Sequence, residues 1–236
     1  MNGKRVLILG GGTMQLPAIR TALSRGWMVI VADGNPEAPG AALCHLFLPV
    51  DLRDVDGMID AARSVKEKEG LDGVFTAGTD FSYTVAAVAQ ALDLPGIPPE
   101  AARAASDKVR MREELRAHGI TVPDFVRLED GDEVRKRVEP LSFPLVVKPV
   151  DNMGARGVRR VDTCTELEDA VFEARGNSHS GRVIVEEYVE GPEFSIDALV
   201  ERGSVHITGF ADRIIRFSPF FVEMGHTLPT EIEPSL

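Results

Sequence analysis

The chain has 236 residues, 44% hydrophobic and 27% charged, a balance that suits one or two folded domains and excludes disorder as the default state. A formal net charge of −11 excludes a broad nucleic-acid surface, which needs clustered Lys and Arg to displace counterions from phosphates. The apolar run Val6 to Leu9 that follows Lys4 and Arg5 is too short for a signal-peptide core or a membrane span, so no membrane partner and a cytoplasmic location are expected.

From residue 5 to about 95, short β-rich runs alternate with segments of helical length. VLILG (6–10), MVIVAD (28–33), LFLPVD (46–51) and GVFTAG (73–78) are predicted strands, and residues 16–26, 54–70 and 81–94 are predicted helices. Continuous apolar runs alternating with helices predict an α/β fold with an open, Rossmann-like parallel sheet over residues 1–95. LPGIPPEAA (94–102) carries three prolines and a glycine and is expected to mark a domain boundary.

A helix is predicted over 106–120, capped by Ser106 or Asp107 and ended by Gly119. Strands are then expected in VPDFVRL, FPLVVKPV, VRRV, RVIVEEYV, EFSIDALV and SVHITGFADRII, with helices near 131–138 and 165–175. Their closeness in sequence favours antiparallel pairing in an α+β second domain. FFVEMGHTLPTEIEPSL closes on no further strand or helix, so the sheet begun at 183 is expected to lack partners, and the chain to be a fragment of a longer protein.

Two glycine-rich turns carry the chemistry. In the first, Gly10, Gly11 and Gly12 follow a strand, and Asp33 ends the next one, where a dinucleotide fold places its ribose acid. The third glycine of that fingerprint is missing, because Gln15 stands in its place. An NAD site therefore remains one alternative, and a floor for a small substrate another. Thr76 to Asp80 (TAGTD) lies at a neighbouring strand end, so Gly11, Gly12, Thr79 and Asp80 are the candidate substrate residues.

The second turn is KPVDNMGARGVRRV (148–161), a strand ending in Lys148 and a loop in which Gly154 and Gly157 bracket Arg156. Such a loop can fold over phosphates, since glycines let backbone N–H groups converge on oxygens beside a mobile ammonium. A plain hairpin is the competing explanation. Lys108, at a predicted helix start, adds a second cation where free N–H groups favour an anion. VEEYVEGPEFSID (185–197) offers backbone groups for adenine and a carboxylate for the ribose. Cys44 and Cys164 lack both a CxxC partner and a nearby His pair, which leaves no zinc site.

In their order and spacing, SDKVRMREEL, PLVVKPVDNMGARGV and VEEYVEGPEFSID resemble the ATP-grasp superfamily across nearly the whole chain. The resemblance is to carboxylate-amine ligases related to carbamoyl-phosphate synthetase, biotin carboxylase and the purine-pathway members. It implies a pre-ATP-grasp domain over 1–95, a small subdomain with its lid over 96–187, and the start of a large subdomain over 188–236. It also implies that Lys108 and Lys148 contact ATP phosphates and that Gly154, Ala155, Arg156 and Gly157 form the lid. Glu186, Glu187, Tyr188 and Val189 would meet adenine, Glu193 the ribose, and His226 would lie near the phosphates. Lys148 and Arg156 would be the catalytic pair.

The implied reaction turns a small carboxylate into an acyl phosphate at the expense of ATP and lets an amine attack it, with ADP and phosphate as products. Mg2+ is expected, with its ligands beyond Leu236, and a homodimer is compatible. A non-catalytic or split-chain ATP-binding module and an NAD-dependent oxidoreductase are the alternatives.

Overall fold

The computed structural model describes residues 3–232, and their contacts divide into two compact units, before and after the Glu114–Leu115 bond. In the N-terminal unit β1 (Arg5–Leu9), β2 (Met28–Ala32), β3 (Leu46–Leu48) and β4 (Gly73–Thr76) form one parallel sheet in the order β3-β2-β1-β4. The helices are α1 (Leu16–Ser24), α2 (Val55–Glu69), α3 (Ser82–Ala91), α4 (Pro99–Ser106) and α5 (Lys108–Ala117), the last crossing into the second unit.

The apolar runs are continuous because both sheet faces are covered. Leu7, Leu9, Ile30 and Ala32 pack with Met58, Ala62 and Val65 of α2 and Val88 and Ala89 of α3. Val6, Ile8, Val29 and Val31 pack with Ile19 and Ala22 of α1. Each large side chain fully buried in these layers contributes about 1.5–3 kcal/mol. Positions 58, 62 and 65 share one helical face, and Asp54 starts α2 by accepting the Gly57 N–H at 3.0 Å.

The expected boundary at 95 is not where the contacts divide. Pro99 sits in the first turn of α4, where its missing N–H is not needed, and α4 packs on α3. Ser82 and Ser106 share a hydroxyl hydrogen bond of 3.1 Å, and the Arg103 guanidinium lies 4.0 Å from the Tyr83 ring centre. The segment is thereby held to the N-terminal unit as far as Glu114.

In the second unit β5 (Phe125–Leu128), β6 (Leu145–Pro149), β7 (Arg159–Val161) and β8 (Val183–Glu187) form an antiparallel sheet in the order β5-β8-β6-β7. Helices α6 (Val134–Val138) and α7 (Cys164–Gly176) complete it. One face buries Leu145, Val147, Val161, Val183 and Val185 against Leu167, Ala170, Val171 and Ala174 of α7. Register places Val146, Arg160 and Glu186 side by side on the other face, with Lys148 one step along β6.

The sheet begun at 183 is expected to lack partners, yet its first strand, β8, is paired on both sides. The open sheet is a separate one of β9 (Phe194–Glu201), β10 (Ser204–Arg216) and β11 (Val222–Thr227), in the order β11-β10-β9. Ile196, Val200, Val205 and Ile207 share one face and are mostly exposed, while Asp197, Arg213 and His226 share the other with Leu199. The described residues include no helix long and apolar enough to cross a membrane.

Candidate nucleotide site

Lys148 lies on the face of the β6–β8 sheet turned away from α7. Its Nζ is 2.9 Å from Glu186 Oε2, with the two side chains 18% and 4% exposed. The pair forms because Glu186 stands opposite Val146, one β-step diagonally from Lys148. Glu186, predicted as an adenine contact, has its carboxylate on the lysine. Glu187 is turned elsewhere too, accepting the Ser142 N–H at 2.8 Å. The Glu187 N–H donates to Asp124 O and the Tyr188 N–H to Pro144 O, both at 2.9 Å, so neither N–H is left to donate to a base edge. Val189 is 70% exposed.

The glycine-rich loop is fixed at both ends and open at its tip. Asp151 accepts the Ser178 hydroxyl at 2.7 Å and the N–H groups of His179 and Ser180 at 3.0 and 2.9 Å. Burial raises the Asp151 pKa, but these hydrogen bonds outweigh it and hold the carboxyl below its ordinary range. The Asn152 amide donates to Asn177 O, and a Cβ on Gly157 would come within 2.8 Å of the Asn177 side chain. Gly154, Ala155 and Gly157 all have φ between 55° and 68°, which only glycine adopts without strain. The tip, residues 153–156, is exposed, and Arg156 folds onto it, Nε donating to Met153 O at 3.1 Å.

A second cluster sits on the Asp197 face of the three-stranded sheet. The Arg213 guanidinium joins Glu193 Oε2 at 3.2 Å and grips Glu223 Oε2 through Nε, at 3.0 Å, and Nη2. That grip holds the Glu223 carboxyl below its usual range. His226 Nε2 is 3.8 Å from Glu223 Oε1. Residues three apart on a regular strand point to opposite faces, but a bulge beside Ile214 and Ile215 brings both Glu223 and His226 to the Arg213 side. Arg213 and Glu223 were not anticipated from the sequence, where a charged pair in two strands has no spacing signal.

Near this cluster a pocket of about 360 Å³ is lined by Arg160, Tyr188, Glu193 and residues 215–221. Arg160 stacks on Tyr188 at 4.5 Å and is held by Asp162 at 3.0 and 2.8 Å. The β10–β11 connection closes the pocket, with the Arg160 N–H donating to Pro219 O at 2.9 Å and a β-bridge pairing Arg159 with Phe220. Tyr188, Glu193 and His226 thus share the second unit with Lys148 and the loop.

Lys108 belongs to the N-terminal unit. The N–H groups expected to be free at its helix start are in part taken, since Asp107 Oδ1 accepts those of Val109 and Arg110, both at 3.0 Å. The N-terminal unit has its own crevice of about 550 Å³ at the C-terminal strand ends, lined among others by Gly10, Gly12, Gln15, Asp33, Arg53 and Thr79. Asp80 is exposed and outside this lining. Gly11 is a packing glycine, since its N–H donates to Asp33 Oδ2 at 2.8 Å and a Cβ would meet Val31 and Ala38 at 3.1 and 3.2 Å.

Gln15 packs against the first glycine turn. It is buried, its amide donates to Ala77 O, and its side chain lies within 3.2 Å of where Cβ atoms on Gly10 and Gly12 would be. Among the described residues no three His, Cys, Asp or Glu converge into a metal site.

The fold agrees with the sequence relatives. Residues 20–96 match the ATP-grasp N-terminal domain and residues 141–235 the ATP-grasp domain. The chain belongs to the ATP-grasp family. It is similar to the solved L-amino acid ligase from Bacillus licheniformis, at 28% identity and a TM-score of 0.79, over 100% of this chain and 57% of that one. It is 32% identical to the D-alanine–D-alanine ligase of Xylella fastidiosa over 64% of its own length and 52% of that enzyme. To the carbamoyl phosphate synthase large chain of Thermoanaerobacter it is 26% identical over 90% of its length and 21% of that chain. It thus spans little more than half of these relatives, or less.

Proposed function

We propose that the chain contributes the nucleotide-binding part of an ATP-dependent carboxylate-amine ligase. The observation that carries this is Lys148, set on the polar face of the β6–β8 sheet at the root of a glycine loop with anchored ends and an exposed tip. The adenosine end is placed in the pocket of Tyr188 and Glu193, with Glu193 accepting ribose hydroxyls. Lys148, Arg156 and the loop N–H groups stabilise charge on the transferring phosphoryl, and the closed loop keeps water from the product.

A carboxylate oxygen attacks the γ-phosphorus and the bond to ADP breaks. The amine then attacks the acyl carbon, phosphate leaves, and the amine proton passes to solvent. The carboxylate or amine is placed in the N-terminal crevice beside Gly12 and Thr79. The names of the two amino-acid ligase relatives support amino acids as the substrate class. The described residues supply no three-ligand site for Mg2+, and no step is assigned to it.

Calorimetric titration of the full-length protein should give ATP binding and no NAD binding, and ADP release with a panel of amino acids. Lys148→Met should weaken ATP by about tenfold or more, the worth of a hydrogen bond to a charged group. ATP binding with no turnover across the panel would favour a binding module, and NAD binding without ATP binding would overturn the proposal.

A further inference from the structure

We infer that Arg213 is a positioning residue that sets Glu193 for the ribose and thereby determines how strongly the site discriminates for the sugar diol. The inference rests on the assignment of Glu193 to the ribose. Arg213 holds Glu193 twice, through its guanidinium on Oε2 at 3.2 Å and through its backbone N–H on the Glu193 carbonyl at 2.8 Å. That bond restrains the carboxylate at Oε2 and leaves Oε1 for a ligand in the pocket that Glu193 lines. The guanidinium is itself immobilised by its two-pronged grip on Glu223, which the β11 bulge aims at it. A lysine offers no such fork.

A carboxylate free to rotate would lose diol affinity without affecting the base or phosphates, so the informative quantity is a ratio. Affinities for ATP and for 2′,3′-dideoxy-ATP are measured by calorimetry on the full-length wild type, Glu193→Gln, Arg213→Met and Arg213→Lys. Wild type should prefer ATP by about tenfold, the effect of a charge-assisted hydrogen bond, and Glu193→Gln should remove that preference. Both Arg213 variants should lose most of it while binding the dideoxy nucleotide within about twofold of wild type.

Equal weakening of both nucleotides, or an unchanged preference, would show Arg213 to be only structural and overturn the inference. A preference that survives in Glu193→Gln would instead overturn the ribose assignment. If Arg213→Met does not fold, Arg213→Lys, which keeps a cation on β10, carries the same test.

Discussion

Replacing Glu186 by Gln should destabilise the second unit, and the size follows from the burial of its ion pair. Lys148 Nζ and Glu186 Oε2 are 2.9 Å apart, with the side chains 18% and 4% exposed. Removing one charge of a fully buried pair costs about 3–5 kcal/mol; because Lys148 keeps some contact with water and the amide still accepts, the lower end, about 3 kcal/mol, applies. At a urea dependence of about 2 kcal/mol per M, the midpoint would fall by about 1.5 M. The single tryptophan, Trp27, lies in the N-terminal unit, so the readout is hydrogen exchange at the β6 and β8 amides in increasing urea. Glu186 has other contacts as well, so its coupling to Lys148 is isolated by a double-mutant cycle with Lys148→Met. The double variant Lys148→Met, Glu186→Leu should recover most of the loss, since a buried ion pair and an apolar pair of like volume are often equal in stability. A coupling below about 0.5 kcal/mol, within the additivity expected of independent sites, would refute the pair as the element that holds Lys148.

Thr79→Ala should raise the KM for the carboxylate or amine several-fold and leave the KM for ATP unchanged, whereas Asp80→Ala, outside the crevice lining, should change neither; steady-state kinetics with each substrate varied would show it. The Asp151 clamp should fail in acid. Its folded pKa lies below the ordinary 3.8, so its contribution is complete above that value and is lost as pH falls through the lower folded one. Hydrogen exchange at the His179 and Ser180 amides should therefore stay slow down to about pH 4. Asp151→Asn should make those amides exchange faster at neutral pH, and an unchanged rate would remove the clamp from the account of the loop.

How much of this was legible in the sequence depends on how local the cause is. VLIL and MVIVA read as strands buried on both faces because every residue there is apolar, and the structure covers both faces. The helix after Asp107 was legible from its cap and from Gly119, whose φ is +74°. Helix α4 was not, because prolines that break a helix interior are harmless in its first turn, and that difference depends on where the helix starts. The partner of Glu186 was out of reach for another reason. It is fixed by the register between β6 and β8, and a slip of one residue would turn Glu186 to the opposite face. Arg213 and Glu223 depend on register and on a bulge together.

The two glycine turns look alike in sequence, and the structure separates them by what surrounds each. Around Gly10 to Gly12 the neighbourhood is occupied: Gln15 presses on Gly10 and Gly12, Val31 and Ala38 crowd Gly11, and Asp33 takes the Gly11 N–H. Gly11 is there for close packing against Val31 and Ala38, whereas Gly10 also has a positive φ, +96°. Around Gly154 a Cβ would meet nothing within 4 Å, and only Gly157, at the anchored end, is crowded. Gly154 is there for its positive φ, +68°, a conformational reason. A loop that must close on a phosphate needs backbone freedom at a tip with open space and restraint at its base. Residues 151–157 meet both conditions, whereas the first turn is packed from behind by Gln15, Val31 and Ala38. The third-glycine position therefore carries more information than a missing letter, because Gln15 packs on Gly10 and Gly12 and ties the turn to Ala77 O.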